Sequence, residues 1–553
     1  MSRALLVCPL LALALSLQAA VAVSFGHPPS TVERFDFVEI SATVNGLAPA
    51  LNPFTDAAFT AEFTQQGSAA ILVEGFCDSP DGAVYRIRFM PSHAGKVTYT
   101  LHLKAGALEQ SAAGSFTSVE SKRPGIVRVD REHPFHFVRE GSGEHYFWNG
   151  TTAYFLAGWR REKTIEDILE RYRAYGVNEV RVALSGRVKD GRAWFENVFP
   201  TKDFSFFICP WLAAAPENLA NPELAATRFD VSYWRHFEAL LRAARERDIC
   251  ISVIFYVDGY RPGTDPFGKD AMGGAGEELY YRYAIARLGA YSNVFWDLAN
   301  EYRLFRNDAW ANKMGDLVKR VDPYGHLTST HGHGDFRFSA AAWPDYAMYQ
   351  RWDDSGGHDA MLRLKQEEAR TGRPMPQVNA EYGYEDTYPV GWGDSKTPPT
   401  RSADTRRRLA WGIYMAGCYQ TTGERANRGT GWGPDSGGGW VNGRGDGTMS
   451  MLEGYKHIAD FFARFAWWTA EPHDELVNAG ALCLAKPGNT YAVYLPQGGG
   501  VLVKLEPGSY EVSAFNPRTG DWVQLPDAEG PEWRSAISTE PGDWAVLLKR
   551  NAR

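Results

Sequence analysis

Between residues 124 and 468 the chain alternates short apolar runs with stretches of helical periodicity, eight times over. The apolar runs fall near 147–155, 177–184, 249–255, 293–301, 326–331, 346–350, 377–382 and 417–422. The helical stretches cover 164–175, 231–247, 277–290, 309–321, 358–370, 405–416 and 452–465, with a short irregular connection between the fifth and sixth runs. In the first helical stretch Ile165, Ile168, Leu169 and Tyr172 share one face, the spacing of a helix packed on a core. A strand that returns parallel to its predecessor needs a crossover, and such crossovers turn right-handed. Eight of them close the sheet on itself, so the pattern predicts an α/β fold built on a (β/α)8 TIM barrel. An open, doubly wound sheet is the rival, but it usually shows a glycine-rich phosphate turn after an early strand. This sequence has none.

The barrel is expected to carry a β-sandwich on each side. Residues 23–121 alternate apolar and polar positions in 59–64, 83–89 and 96–103, with turn residues such as Pro80-Asp81-Gly82 between them; short alternating strands at this spacing suggest a sandwich. The same pattern returns in 469–553, after a barrel placed at 122–468. Residues 1–22 read as a signal peptide: Arg3, an apolar core over 4–17, then Ala20-Val21-Ala22 as the small-residue cleavage site. That core is short for a membrane span and no later run replaces it, so an exported protein, secreted or periplasmic, is expected. A formal net charge of -8 argues against a nucleic-acid partner. Beyond the signal segment stand Cys77, Cys209, Cys250, Cys418 and Cys483, odd in number and without C-x-x-C spacing; buried free thiols are expected.

Two of the predicted strands end in a glutamate. The fourth closes on Asp297-Leu298-Ala299-Asn300-Glu301 and the seventh on Val378-Asn379-Ala380-Glu381-Tyr382. In such barrels the active site lies at the C-terminal strand ends. Two carboxyl groups held there roughly 5–5.5 Å apart are what a retaining glycosidase needs, one to attack the anomeric carbon and one to deliver a proton and take it back. An asparagine beside the acid can hold the neighbouring sugar hydroxyl. The bland alternative is that each glutamate only closes its strand in a salt bridge. The 13% aromatic content, with 18 Trp and 26 Tyr, suits sugar stacking and equally suits β-rich cores.

These motifs resemble those of clan A glycoside hydrolases. The clan's acid/base signature is matched by Asn300-Glu301, its nucleophile by Glu381, and its strand-two arginine by Arg181. The clan often has a tyrosine after strand six that hydrogen-bonds the nucleophile, for which Tyr349 is the nearest match. More narrowly, 322–331 and 411–423 resemble apiosidase-like barrels. The segment 513–520 is similar to the collagen-binding-type sandwich that follows such barrels, and 52–99 resembles the sandwich of unknown function that precedes them. That last pattern tends to have Trp where this chain has Val97. The resemblance implies a secreted retaining hydrolase of a plant or algal polysaccharide or its oligosaccharides. Glu381 would be the nucleophile and Glu301 the acid/base, with no cofactor and no metal.

Other residues invite readings of their own. His331 is expected to hydrogen-bond substrate, while His331-Gly332-His333 with Asp335 suggests a metal-dependent hydrolase. Glu385 competes with Glu381, and Glu424 either binds a sugar hydroxyl or closes a loop. Trp148, Trp159, Trp352 and Trp432 are candidate sugar platforms, Trp432 being set in the glycine-rich stretch 429–447. A carbohydrate-binding protein on a barrel that has lost catalysis is the remaining alternative.

Overall fold

The computed structural model describes residues 22–45, 51–65, 67–187, 202–216, 218, 221–257, 259–260, 263–351, 357–385, 402–424, 439–445, 451–538 and 542–551. Eight parallel strands make one sheet: β1 (Asn149–Thr152), β2 (Glu179–Ala183), β3 (Cys250–Ile254), β4 (Val294–Asp297), β5 (Thr328–Ser329), β6 (Ala347–Gln350), β7 (Gln377–Glu381) and β8 (Tyr419–Thr422). Their order is β5-β4-β3-β2-β1-β8-β7-β6, so the ladder is continuous except between β5 and β6. There single bonds close the barrel instead. Ser329 Oγ donates to the Tyr346 carbonyl at 2.7 Å, and Asp345 accepts from the Thr328 N–H through its carboxylate at 2.7 Å while its own N–H reaches the Thr328 carbonyl at 2.9 Å.

The crossovers are α1 (Glu162–Ala174), α2 (Val231–Arg245), α3 (Ala275–Leu288), α4 (Asp308–Val321), α5 (His358–Ala369) and α6 (Ala403–Met415), and α7 (Met451–Phe462) follows β8. Their starts follow from local sequence. Asp230 accepts from the Ser232 and Tyr233 N–H groups at the head of α2, and Asn307 accepts from the Trp310 N–H at the head of α4; each satisfies a donor that the first turn leaves open. The strands are buried on both faces, which is why they read as short apolar runs rather than as alternations. The N-terminal end of the barrel is plugged by a hairpin pairing Val127–Val129 with Phe137–Arg139. Phe137 packs on Trp148, Tyr346 and Tyr419. Residues 146–148 form the lead-in to β1, so the expected run 147–155 contains a shorter strand than its length suggests. Two further antiparallel pairs stand between β2 and α2 (Gly186–Arg187 with Phe207–Ile208, Trp211–Ala213 with Leu224–Phe229), where no strand is expected from sequence.

On the N-terminal side a four-stranded sheet (Ala22–Phe25, Val38–Asn45, Val84–Phe89, Phe76–Cys77) and a five-stranded one centred on Gly95–Ala105 form a sandwich. It is joined to the barrel by a buried ion network. Glu238 of α2 binds Arg88 of the sandwich at 2.8 Å and Arg287 of α3 at 2.6 Å, and Arg287 reaches Asp78 at 2.7 Å. On the other side a six-stranded antiparallel sheet packs against α6 and α7. Trp411 stacks on Tyr494, Phe461 on Trp522, and Arg407 binds Asp543 at 2.7 Å. All five described cysteines are buried and free.

Removing one partner from a buried pair leaves uncompensated charge at a cost of about 3–5 kcal/mol. Glu238→Ala, which takes away the carboxylate shared by Arg88 and Arg287 and leaves them only Glu39 and Asp78, should therefore lower the unfolding free energy by up to about that amount. Arg363→Ala, which breaks only an exposed pair with Glu367, should change it by less than about 1 kcal/mol. Urea titrations followed by tryptophan fluorescence measure both.

Candidate active site

β1, β2, β4, β5, β6 and β7 each deliver a side chain to the C-terminal mouth. Arg181 points inward from β2 and is almost fully buried. Its Nη2 lies 3.2 Å from Asp297 Oδ2 at the end of β4, 2.9 Å from Asn300 Oδ1 and 3.4 Å from His331 Nδ1. Its Nη1 donates to the Ala380 carbonyl at 3.3 Å and stands 3.6 Å from Glu381 Oε2. Burial alone would lower the pKa of this guanidinium, but the phenol of Tyr154 and the carboxylates of Asp297 and Glu381 more than reverse that, so it stays charged.

Glu381 ends β7 inside this cluster. Its Oε2 is 3.0 Å from the Tyr154 hydroxyl, and His331 Nε2 faces it at 3.6 Å. Burial pushes the Glu381 carboxyl up, yet His331, Arg181 and Tyr384 together pull it below the ordinary glutamate value. The consequence is an ionised carboxylate in a nearly dry pocket. The Tyr154 and Tyr384 phenols, 2.9 Å apart, are held well above the usual tyrosine range by burial and by the Glu381 charge, so they remain protonated donors.

Glu301 stands on the turn after β4. That turn is fixed by the Asn300 N–H to the Tyr256 carbonyl at 2.9 Å and the Leu298 N–H to the Ser329 carbonyl at 3.1 Å. Glu301 itself takes a left-handed conformation, φ 48° and ψ 44°. For a residue with a Cβ this costs roughly 1–2 kcal/mol, and such strain concentrates at sites where a side chain must be aimed. Gln350, at the tip of β6, donates from Nε2 to Glu301 Oε1 at 2.7 Å, and it is the register partner of Glu381. Tyr154 spans the same gap from the other side, its hydroxyl 3.1 Å from Asn300 Oδ1 as well as in contact with Glu381. Gln350 thus holds the Glu301 carboxylate from the strand beside Glu381, and Tyr154 links Glu381 to the residue before Glu301. Trp440, from the chain after β8, stacks on Tyr384 with ring centroids 4.3 Å apart and makes an aromatic wall beside Glu381.

The structure gathers Arg181, Asn300, Glu301, His331 and Glu381 in one place. Arg181 and His331 are sealed beneath the carboxylates and act on Glu381 and Asn300. Tyr349 departs from expectation. Strand alternation sends it opposite to Gln350, and its hydroxyl donates to Gln377 Oε1 at 2.6 Å, so the phenols at the nucleophile position are Tyr154 and Tyr384. Sequence reasoning missed both of these and Gln350. Tyr154 stands two residues past the end of β1 but inside the run expected at 147–155, where nothing sets it apart from a core ring, and Tyr384 stands three residues past β7, beyond the run expected at 377–382. The metal reading of His331 and His333 fails, since His331 is fully buried against Glu381 while His333 is exposed. Among the described residues neither belongs to a group able to hold an ion. Glu385 is buried where its charge acts on Tyr382 and Tyr455. Glu424 closes a loop through Arg171 and the Gly445 N–H, and burial pushes its pKa up. Trp148 is core at the opposite end of the barrel, and Trp159 is core against Phe204, its Nε1 bound to the Asn442 carbonyl. Trp352, Trp432 and the export segment before Ala22 lie outside the described residues.

The model of the apiosidase-like catalytic domain matches residues 133–426, and that of a domain of unknown function, DUF5060, matches residues 31–104. Among solved structures, a protein of Bacteroides vulgatus ATCC 8482 described as a candidate glycoside hydrolase superposes with a TM-score of 0.75 at 22% identity, covering 94% of this chain and 100% of its own. A glycoside hydrolase family 5 protein of the same organism gives 0.60 at 15% identity, covering 78% of this chain and 95% of its own. At these identities the likeness is one of fold. No curated protein matches the chain by sequence.

Because its folded pKa is lowered, Glu381 contributes stability that is present above the ordinary glutamate range and is lost as pH falls through the lowered value. Arg181→Leu should raise the Glu381 titration point and shrink that contribution, whereas Tyr349→Phe should leave the titration unchanged. Carboxylate carbon NMR of the two variants, read against Glu381→Gln for assignment, checks this.

Proposed function

The chain belongs to the apiosidase-like family of glycoside hydrolases, and on that premise we propose that it is an exported retaining enzyme acting on a plant or algal polysaccharide or its oligosaccharides. The observation that carries the reading is the pair of links between the two glutamate positions: Tyr154 touches Glu381 and the Asn300 side chain, and Gln350, opposite Glu381 in register, holds Glu301. Two carboxyls so placed can divide the work. Glu381, ionised, bonds to the anomeric carbon as the glycosidic C–O bond breaks, and the departing oxygen takes its proton from Glu301. Glu301 then removes a proton from water, the water oxygen bonds to the anomeric carbon, and Glu381 leaves as a carboxylate.

The surroundings suit this cycle. Arg181 and His331 keep Glu381 charged between turnovers, and the Tyr154 and Tyr384 hydroxyls donate toward the carboxylate without competing for the proton. Asn300 has its amide oxygen fixed by Arg181, which leaves its NH2 group to hold the sugar hydroxyl beside the reacting carbon. Trp440, buried and stacked on Tyr384, fixes the ring whose hydroxyl faces Glu381. The signal-like pattern of residues 1–22 is what supports export.

A screen against plant and algal polysaccharides with product analysis should yield reducing sugar, and proton NMR of the first product formed should show retained anomeric configuration. Glu301→Gln and Glu381→Gln should each lower turnover by about 10²–10⁴-fold or more with thermal midpoints close to the parent. Binding on the panel without any product would instead favour a carbohydrate-binding role, and near-parent activity of Glu381→Gln would overturn its role as nucleophile. Treatment with chelator should leave turnover unchanged.

A further inference from the structure

At the end of the barrel opposite the two glutamates, three side chains converge that the proposed chemistry does not use. Asp130 follows the first hairpin strand, His133 lies in the turn, and His145 comes back alongside Val138. A donor atom from each lies within 4.8 Å of the other two. Asp130 Oδ2 and His145 Nε2 are 2.8 Å apart. Asp130 Oδ1 is tied to the Glu132 N–H at 2.8 Å, which fixes the carboxylate plane. The His145 ring lies flat on Trp468, centroids 3.9 Å apart and 8° from parallel, so its nitrogens can move little. The His133 ring stands 6.0 Å from that of His145 and has no hydrogen-bond partner among the described residues.

An Asp–His pair alone explains two of these residues. The His133 backbone N–H also meets the Asp130 carboxylate, but the His133 imidazole is left beside it with no hydrogen-bond partner of its own among the described residues. We propose that Asp130, His133 and His145 bind a zinc-class divalent cation. Two imidazoles and one carboxylate are a common zinc donor set, and three protein ligands leave the fourth position to water. With metal–ligand distances of about 2.0–2.2 Å, donors at a tetrahedral centre stand roughly 3.3–3.5 Å apart. The present spacing needs only a small opening of the Asp130–His145 contact and a rotation of His133. A harder ion such as calcium or magnesium would instead call for oxygen ligands throughout. Asp130 is buried and both histidines are half-buried, so the site is partly shielded yet open to an entering ion. Its place gives it a role in holding the fold together. The hairpin plugs the barrel through Phe137, and Trp468 belongs to the turn Trp467–Thr469 that leads into the C-terminal sheet. A bound ion would pin the plug to that turn and stand apart from the catalytic mouth.

Untagged protein, stripped with chelator and titrated with zinc chloride in a calorimeter, should bind one zinc per chain with a dissociation constant at or below about 1 μM. Saturating zinc should raise the thermal midpoint by about 3–6 °C. His133→Ala is the telling variant, since it removes a ligand while sparing the Asp130–His145 pair. It should weaken zinc binding at least about 50-fold and leave the midpoint of the zinc-free protein unchanged. No binding, or binding that survives in both His133→Ala and His145→Ala, would overturn the proposal.

Discussion

The guanidinium of Arg181 is buried between groups from β1, β4, β5 and β7, and the geometry of the catalytic mouth depends on it. An ion taken out of water costs several kcal/mol and is tolerated only where partners surround it. Here Asp297 supplies the opposite charge, Asn300 and Ala380 supply oxygens, and Glu381 lies just beyond. Each partner is oriented in return. Asn300 must sit where its oxygen meets both Arg181 and Tyr154, and that places Glu301, the next residue, on the strained left-handed turn where Gln350 meets it. A cation fixed in the barrel wall thus sets the position of one carboxylate and the charge of the other.

The scaffold beneath is arranged to keep that cluster still. The lower barrel is filled by rings, with Trp148 stacked on Phe295 and Phe137 driven in from the hairpin. Above them comes a polar layer in which Thr421 binds the buried Glu179, and Gly150 makes room for both, since a Cβ there would fall 2.1 Å from Thr421 Oγ1 and 2.2 Å from Glu179 Oε2. The Glu179 carboxyl, pushed by burial up to about 7, can stay neutral in this layer below neutral pH. The seam between β5 and β6 has no ladder, and Asp345 and Ser329 stitch it with single bonds. Tyr324 ties the helix-to-β5 turn to the N-terminal sandwich, donating to the Arg88 carbonyl and accepting from the Met90 N–H.

Much of this was legible in the sequence because parallel strands buried on both faces and amphipathic crossover helices leave strong periodic signals. α4 runs over Asp308–Val321 where the pattern marked 309–321, and α1 over Glu162–Ala174 where it marked 164–175. Glu301 and Glu381 could be found since each ends such a run. The motif around Asp322 proves to be architectural. Its carboxylate accepts from Trp296 Nε1, from the Tyr324 N–H and from both the backbone and ring of His326. What could not be read were the residues whose role depends on a side chain's direction across the mouth. Tyr349 and Gln350 are neighbours on β6, and only strand phase decides which of them meets a glutamate. Tyr154 lies inside the run expected at 147–155 but looks like any core ring there, and Tyr384 lies past its strand end, where periodicity stops. The hairpin pairs between β2 and α2 were hidden for a similar reason, being two to six residues long with little alternation to display.

The central claim is that Glu381 forms a covalent bond to the sugar. It is tested most directly by incubating the protein with an activated fluorosugar of whichever glycoside it cleaves and locating the label by peptide mass spectrometry. The account predicts a stoichiometric adduct on Glu381 that slowly hydrolyses with return of activity. A label on Glu385 or Glu301, or an unlabelled enzyme that releases product of inverted configuration, would contradict it.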